Sequence, residues 1–306
     1  MSGRGRGTDS KSVSRLIPSR RSLVSNQQQA KRTVHQLFDL TGRVAIITGG
    51  AGFLAEKHAQ AIAEAGGIPV LADVKGKAAT ARARSLSRSY GTRALGLKTD
   101  ITHPPDVQRL LEVTLETFGH VDILINNAAN DPKVDAQLGT TWCQVEQLPL
   151  EQWNADLAVG LTGAFLCCQV IGSELARRKR GVIVNIASDL AVIAPDQRLY
   201  QQAGLPPDKQ PVKPLSYSVV KTALIGLTRY LATYWAKDGV RVNAISPGGV
   251  YNGQPEEFVR KLSDLIPLGR MALPDEYTAA ILFLCSDASS YMTGANLVID
   301  GGRSCW

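Results

Sequence analysis

Residues Arg43–Asp73, RVAIITGGAGFLAEKHAQAIAEAGGIPVLAD, decide the fold of this 306-residue chain. Arg43–Thr48 is a short apolar run of the length of a buried strand. It breaks at Gly49-Gly50-Ala51-Gly52, and a helix with alanine-rich faces follows to Ala65. Gly66-Gly67 ends that helix, and Ile68–Asp73 reads as a second strand. Glycines at a strand-to-helix turn let backbone N–H groups approach a pyrophosphate, and the helix N-terminus adds a favourable field. Gly49 and Gly52, with Phe53 and Leu54 opening the helix, are the candidate cradle. Asp73 lies 24 residues beyond Gly49, at the end of the second strand. An acid there accepts hydrogen bonds from ribose hydroxyls and repels a 2′-phosphate. NAD is the expected cofactor, and Lys75 keeps NADP open.

Outward from this unit, short apolar runs alternate with longer helical ones, the pattern of βαβ units and a parallel sheet. Strands are expected at 94–99, 121–126, 181–187, 240–246 and 295–299. Helices are expected near 77–90, 104–119, 151–178, 216–238 and 274–287. One continuous alternation with seven strands predicts a single doubly wound α/β domain of Rossmann type, spanning 39–306.

The formal charge of +7 belongs to one end. Residues 1–38 hold eight bases and one acid, while the rest of the chain holds 26 of each. This Ser-, Arg- and Gln-rich segment shows no apolar periodicity and reads as a disordered tail. Three readings of it stay open: a solvated extension, a transit-type leader or a polyanion-binding arm. It has no apolar core of a secretory signal, and no run of about 18 continuous apolar residues marks a membrane span. Five cysteines without a CxxC spacing fit a reducing, cytoplasmic setting and offer no metal site. His58 and His103 read as structural or surface residues, and a nucleic-acid partner is not expected.

Ser216-Tyr217-Ser218-Val219-Val220-Lys221 opens the helix near 216–238. Tyr217 and Lys221 stand one turn apart on one face. An ammonium beside a phenol favours the phenolate and brings it toward use as a general acid/base near neutral pH. Ser188 ends the strand near 181–187 and is the third candidate.

These residues together resemble the short-chain dehydrogenase/reductase family across residues 40–303. Thr48-Gly49-Gly50-Ala51-Gly52 matches its cofactor loop, and Asp100-Ile101 resembles the pair that brackets the adenine. Asn126-Asn127-Ala128-Ala129 is similar to its Asn-Asn-Ala-Gly turn, with Asn127 beside the cofactor. Ser246-Pro247-Gly248-Gly249-Val250 is similar to the loop over the nicotinamide, which assigns Pro247 and Val250 to the cofactor. The resemblance implies hydride transfer between nicotinamide and a carbinol or carbonyl carbon. It makes Tyr217 the general acid/base, Lys221 its activator and a holder of the nicotinamide ribose, and Ser188 a hydrogen-bond partner of the substrate oxygen. It also implies a homodimer or homotetramer formed through the helices near 151–178 and 216–238.

Two positions depart from the family pattern. Gly160 stands where an asparagine usually holds a water in the proton path, and Asn154 does not replace it on the helix face. Phe53 and Ala55 stand where related loops carry glycines. Between Ser188 and Tyr217 lies the insert 189–215, rich in proline and bearing Arg198, Lys209 and Lys213. It is expected to wall the substrate pocket, with charges that pair with a phosphate or carboxylate or simply stay solvated. Residues 251–268 are the expected mobile lid. Both loops are polar, so a sugar-like, hydroxylated small molecule is the expected substrate. The stretches Ala158–Asp189, Ala194–Leu205 and Tyr291–Trp306 are similar to bacterial members that accompany surface-glycan and acidic-sugar biosynthesis. Two rival readings are a 3-oxoacyl thioester reductase and a dinucleotide-binding regulator without turnover.

Overall fold

The computed structural model describes residues 31–130 and 143–306. Seven parallel strands form one sheet: β1 (Val44–Thr48), β2 (Ile68–Asp73), β3 (Leu95–Lys98), β4 (Ile123–Asn126), β5 (Gly181–Ile186), β6 (Val240–Pro247) and β7 (Asn296–Ile299). Their order is β3-β2-β1-β4-β5-β6-β7, the doubly wound arrangement expected from the alternation. The order reverses between β1 and β4, where Ile47 faces Ile125, so a crevice opens beyond the carboxyl ends of these two strands.

The central strands are buried on both faces, which is why they read as unbroken apolar runs. Alternate residues still part company. Val44, Ile46, Leu124 and Ile183 pack with the helices Pro104–Phe118 and Leu150–Arg177. Ala45, Ile47, Ile125 and Val184 pack with Phe53–Glu64, Gly76–Tyr90 and Thr278–Cys285. Each such buried aliphatic side chain contributes about 1.5–3 kcal/mol over exposure. Helix Leu150–Arg177 is long and apolar enough to cross a membrane by length and composition. Its Cys167, Cys168, Ile171 and Leu175 are nonetheless buried against the sheet.

Gly50 shows how closely the first loop rides on β2. A Cβ there would meet Leu71 Cβ at 2.7 Å and its Cα at 2.9 Å. Any side chain at this position would push the loop off the sheet.

Three expectations need correction. Residues 1–30 of the basic tail lie outside the described residues, but Val34–Phe38 is helical rather than disordered. Val34, Leu37 and Phe38 share an i, i+3, i+4 spacing, and this turn lies beside Asp287–Ser289. The folded unit therefore begins at Val34, not at residue 39. The insert 189–215 has structure of its own, in the 3-10 turns Asp189–Ala191, Gln197–Tyr200 and Pro207–Lys209. The lid contains a helix, Glu256–Ser263, and it packs on the insert through Leu199, Leu262, Ile266 and Met271. The last expected helix is shorter than 274–287, running only over Thr278–Cys285.

His58 sits on Phe53–Glu64, 1% exposed. Burial, partly offset by the Asn127 side chain, pulls its pKa from about 6.5 down to about 4. Between those values the unfolded chain binds more protons than the folded one, so stability rises with pH across this window. Its full contribution is present above about pH 6.5 and is lost as pH falls toward 4. Urea melts should show a slope of up to about 1.4 kcal/mol per pH unit there, and His58→Leu should flatten it. An unchanged slope in that variant would assign the acid sensitivity elsewhere.

Candidate active site

Helix Leu215–Tyr234 starts behind Pro214 and buries Val220, Leu224, Thr228 and Leu231 against the body. This burial fixes its rotation, and Tyr217 and Lys221 then line the cavity beyond the strand ends. Lys221 is buried, and its Nζ donates to the carbonyl of Ile186, the last residue of β5, at 2.7 Å. The same Nζ lies 5.7 Å from the centre of the Tyr217 ring. Lys213, from the end of the insert, brings its Nζ to 3.9 Å from that centre. Ser188 follows β5 directly, and its Oγ donates to Asp189 Oδ1 at 2.9 Å while accepting from the Leu190 N–H at 3.2 Å.

At the other end of the cavity, β1 delivers the glycine turn. Gly52 is the N-cap of Phe53–Glu64, and no side chain caps that helix. Its first N–H groups thus face the cavity beside Gly52, Phe53 and Leu54, an arrangement that fits an anionic pyrophosphate. Asp73 Oδ2 accepts from the Ala51 N–H at 2.9 Å and Oδ1 from the Lys75 N–H at 2.8 Å, so this carboxylate also straps the loop. Arg82 donates to the carbonyls of Gly50 and Gly52. Asn127 donates from Nδ2 to the Thr48 carbonyl at 2.9 Å, which joins the ends of β4 and β1.

One cavity of about 750 Å³ brings together the residues that the sequence offers for catalysis and cofactor binding. Gly49, Gly52, Phe53, Leu54, Asp73, Asp100, Ile101, Asn127, Ser188, Tyr217, Lys221, Pro247 and Val250 all line it. The insert and lid reach it through Leu199, Tyr200, Asn252 and Phe258. The insert charges behave unequally. Arg198 forks onto Asp196 and is spent there, whereas Lys213 enters the wall.

Three wall features escaped the sequence reading. Asp189 accepts from Ser188 and forms a buried ion pair with Arg303 at 2.7 Å. Asp156 is buried under the catalytic helix and accepts from the Ser216 hydroxyl and from Gln152 Nε2. Asn130, in the wall, donates to that same carboxylate at 3.4 Å. Arg303 directly follows Asp300-Gly301-Gly302, and nothing in the local sequence marks it as a wall residue.

Gly160 is explained by packing. It lies in a π-helical turn, Ala158–Thr162, where a Cβ would meet Val220 Cγ1 at 2.5 Å. Val220 is on the catalytic helix, and a β-branched residue yields little at χ1. Gly160→Asn is expected to lower stability by about 1–3 kcal/mol without raising turnover. Thermal melts and steady-state rates check both; a stable, faster variant would restore the usual relay reading.

Comparison with known proteins shows the family. Residues 43–201 match the family model described as short chain dehydrogenase. Residues 210–304 match one described as Enoyl-(Acyl carrier protein) reductase. The chain belongs to the short-chain dehydrogenase/reductase family. It is similar to the D-threitol dehydrogenase of Mycolicibacterium smegmatis, 35% identical over 87% of this chain and 94% of that protein. It is also similar to the NAD-dependent glycerol dehydrogenase of Listeria innocua, 34% identical over 87% and 95%. A solved short-chain type dehydrogenase/reductase from Mycobacterium marinum superposes with a TM-score of 0.75 at 33% identity, over 90% of this chain and 100% of that one. As a short-chain dehydrogenase/reductase, the chain is an NAD(P)-dependent oxidoreductase acting on alcohol groups. The narrower resemblance to surface-glycan enzymes finds no counterpart in these names.

Proposed function

We propose that this short-chain dehydrogenase/reductase oxidises a hydroxyl of a small polyol, or reduces the corresponding keto-sugar, with NAD as its preferred cofactor. The observation that carries this reading is the convergence of Ser188, Tyr217 and Lys221 in the cavity that also holds the glycine turn and Asp73. The glycine turn would hold the pyrophosphate, Asp73 the adenosine ribose, and Pro247 with Val250 the nicotinamide. Support for a polyol comes from the two named relatives and from Asp189, Asn252 and Gln254 in the wall, although Leu199 and Phe258 make part of the loop lining apolar.

When bound, the nicotinamide supplies a hydride acceptor or donor. Tyr217 takes the proton of the substrate hydroxyl during oxidation and returns one to the oxygen during reduction. Lys221 favours the charged form of that phenol. Ser188 fixes the direction of the same oxygen, so that the reacting carbon is held in line. Asp73 is the ground for preferring NAD, since a 2′-phosphate there would meet a carboxylate that two backbone N–H groups already hold in place.

Initial rates with threitol, glycerol and mannitol, each with NAD and with NADP, test the reading. NAD should exceed NADP in kcat/KM by about tenfold, a discrimination of about 1.4 kcal/mol. Tyr217→Phe should lower kcat about 10²–10⁴-fold and leave NADH binding within about threefold. Binding of NADH with no turnover of any alcohol or ketone, and no effect of Tyr217→Phe, would favour the regulator instead.

We propose further that the chain self-associates through the faces of Leu150–Arg177 and Leu215–Tyr234. Phe165, Tyr230 and Tyr234 are exposed there, and the two tyrosine rings stack at 5.8 Å. Exposed aromatic side chains on the two helices that the family resemblance assigns to the interface support this reading. Sedimentation velocity should give a dimer or tetramer that Tyr230→Glu with Tyr234→Glu dissociates; a monomeric wild-type protein would refute it.

A further inference from the structure

The C-terminal turn holds a charged group with more hydrogen-bonding capacity than the fold uses. Arg303 is 8% exposed, and Nη1 donates to Asp189 Oδ2 at 2.7 Å. A guanidinium carries five N–H donors. Among the described residues its side chain makes no other hydrogen bond, yet it lines the catalytic cavity. Its remaining donors are not sealed in the interior, and the cavity that Arg303 lines is where an acceptor can come from.

The group is also held firmly. Gly301 and Gly302 have φ of +68° and +89°, in the left-handed region, and wrap the chain around Ile266 and Pro267. Asp300 accepts from the N–H groups of Gly302 and Ser304 at 2.9 and 2.8 Å. Trp306 Nε1 donates to the Leu265 carbonyl at 3.1 Å, pinning the chain end beside the lid.

We propose that Arg303 is a specificity-determining residue that donates to a second hydroxyl of the substrate, one or two carbons from the reacting one. The inference rests on the polyol reading above. Asp189 links the two ends of the measurement: one carboxylate oxygen takes the Ser188 hydroxyl and the other takes Arg303. Arg303 Nη1 therefore lies within two hydrogen bonds and one carboxylate width of Ser188 Oγ. A small polyol that meets both groups therefore does so through two different hydroxyl oxygens. Asp189 balances the guanidinium, so the subsite suits neutral hydroxyl oxygens and opposes a carboxylate, which would confront Asp189.

The test compares threitol with 2-butanol, alcohols of equal chain length that differ in their other hydroxyls. Arg303→Lys keeps the charge that Asp189 needs but loses the planar fork. It should lower kcat/KM for threitol about 10–100-fold more than for 2-butanol, chiefly through KM. A second variant, Asp189→Asn with Arg303→Gln, keeps the contact neutral and hydrogen-bonded and should show the same loss of selectivity if Arg303→Lys fails to fold. Parallel losses on both alcohols, unchanged selectivity, or a preference of the wild type for threonate over threitol overturn the inference alone. A wild type that turns over neither alcohol with either nicotinamide overturns the proposed function, and this inference with it.

Discussion

A chain of buried amides and hydroxyls ties the middle of the sheet to helix Leu215–Tyr234. Asn126 of β4 donates to Asn185 of β5 at 2.8 Å, and Asn185 donates to Thr228 Oγ1 at 2.8 Å. Thr228 in turn donates to the Leu224 carbonyl one turn earlier on its helix. Apolar packing alone would let that helix slide or rotate by fractions of a turn at small cost. Hydrogen bonds in a dry interior do not, because displacing either partner leaves a buried polar group unmatched. The chain therefore sets the height of Leu215–Tyr234 against the strand ends. With that height set, Lys221 reaches the Ile186 carbonyl and Tyr217 faces the cavity.

The long helix Leu150–Arg177 is adapted to this neighbour. It carries two π-helical turns, Ala158–Thr162 and Cys168–Gly172, and glycines where it touches other elements. A Cβ at Gly163 would meet Ile101 Cδ1 at 2.6 Å, and one at Gly172 would meet Trp235 at 2.5 Å. Together with Gly160 against Val220, these contacts bring the helix closer than side chains would permit. A residue chosen for reach, such as asparagine, has no room at position 160. Below it, Asp156 accepts from Ser216 on the catalytic helix and from Asn130 in the wall, a polar route under the site that the family pattern does not foretell.

The sheet was legible because its signals are local and repeated. Arg43–Thr48 is a continuous apolar run since β1 is buried on both faces, and Gly49 to Gly52 interrupts it in the way a phosphate turn requires. That the glycine turn, Ser188, Tyr217 and Lys221 would share one cavity was legible for the same reason, each belonging to a short motif at an element end. The lid helix Glu256–Ser263 was less visible, for its polar face outweighs a few apolar residues, and only Leu262 is buried. The turn Val34–Phe38 was hidden by the basic residues before it. The polar contacts in and behind the wall were illegible in principle: Arg303 and Asp189 are 114 positions apart, and Asp156 and Ser216 are 60 apart. No periodicity or spacing reports a contact between single residues that far apart in the chain.

That distant pair also argues for a purpose beyond stability. Removing two charges from water costs several kcal/mol per ion before their attraction and further hydrogen bonds offset it. Well-packed apolar side chains of similar volume often serve a fold as well or better in such a place. The C-terminal turn would not lack anchors without the pair. Asp300 already folds it through two N–H groups, and Trp306 holds its end at Leu265. What the ion pair adds is a polar wall, fixed in position, directly behind Ser188. A hydrophobic wall there would accept any alcohol of the right size, because a pocket built from apolar contacts discriminates only weakly against an added or missing hydroxyl. Groups that must be hydrogen-bonded discriminate sharply, since a substrate lacking the matching oxygen leaves them unpaired.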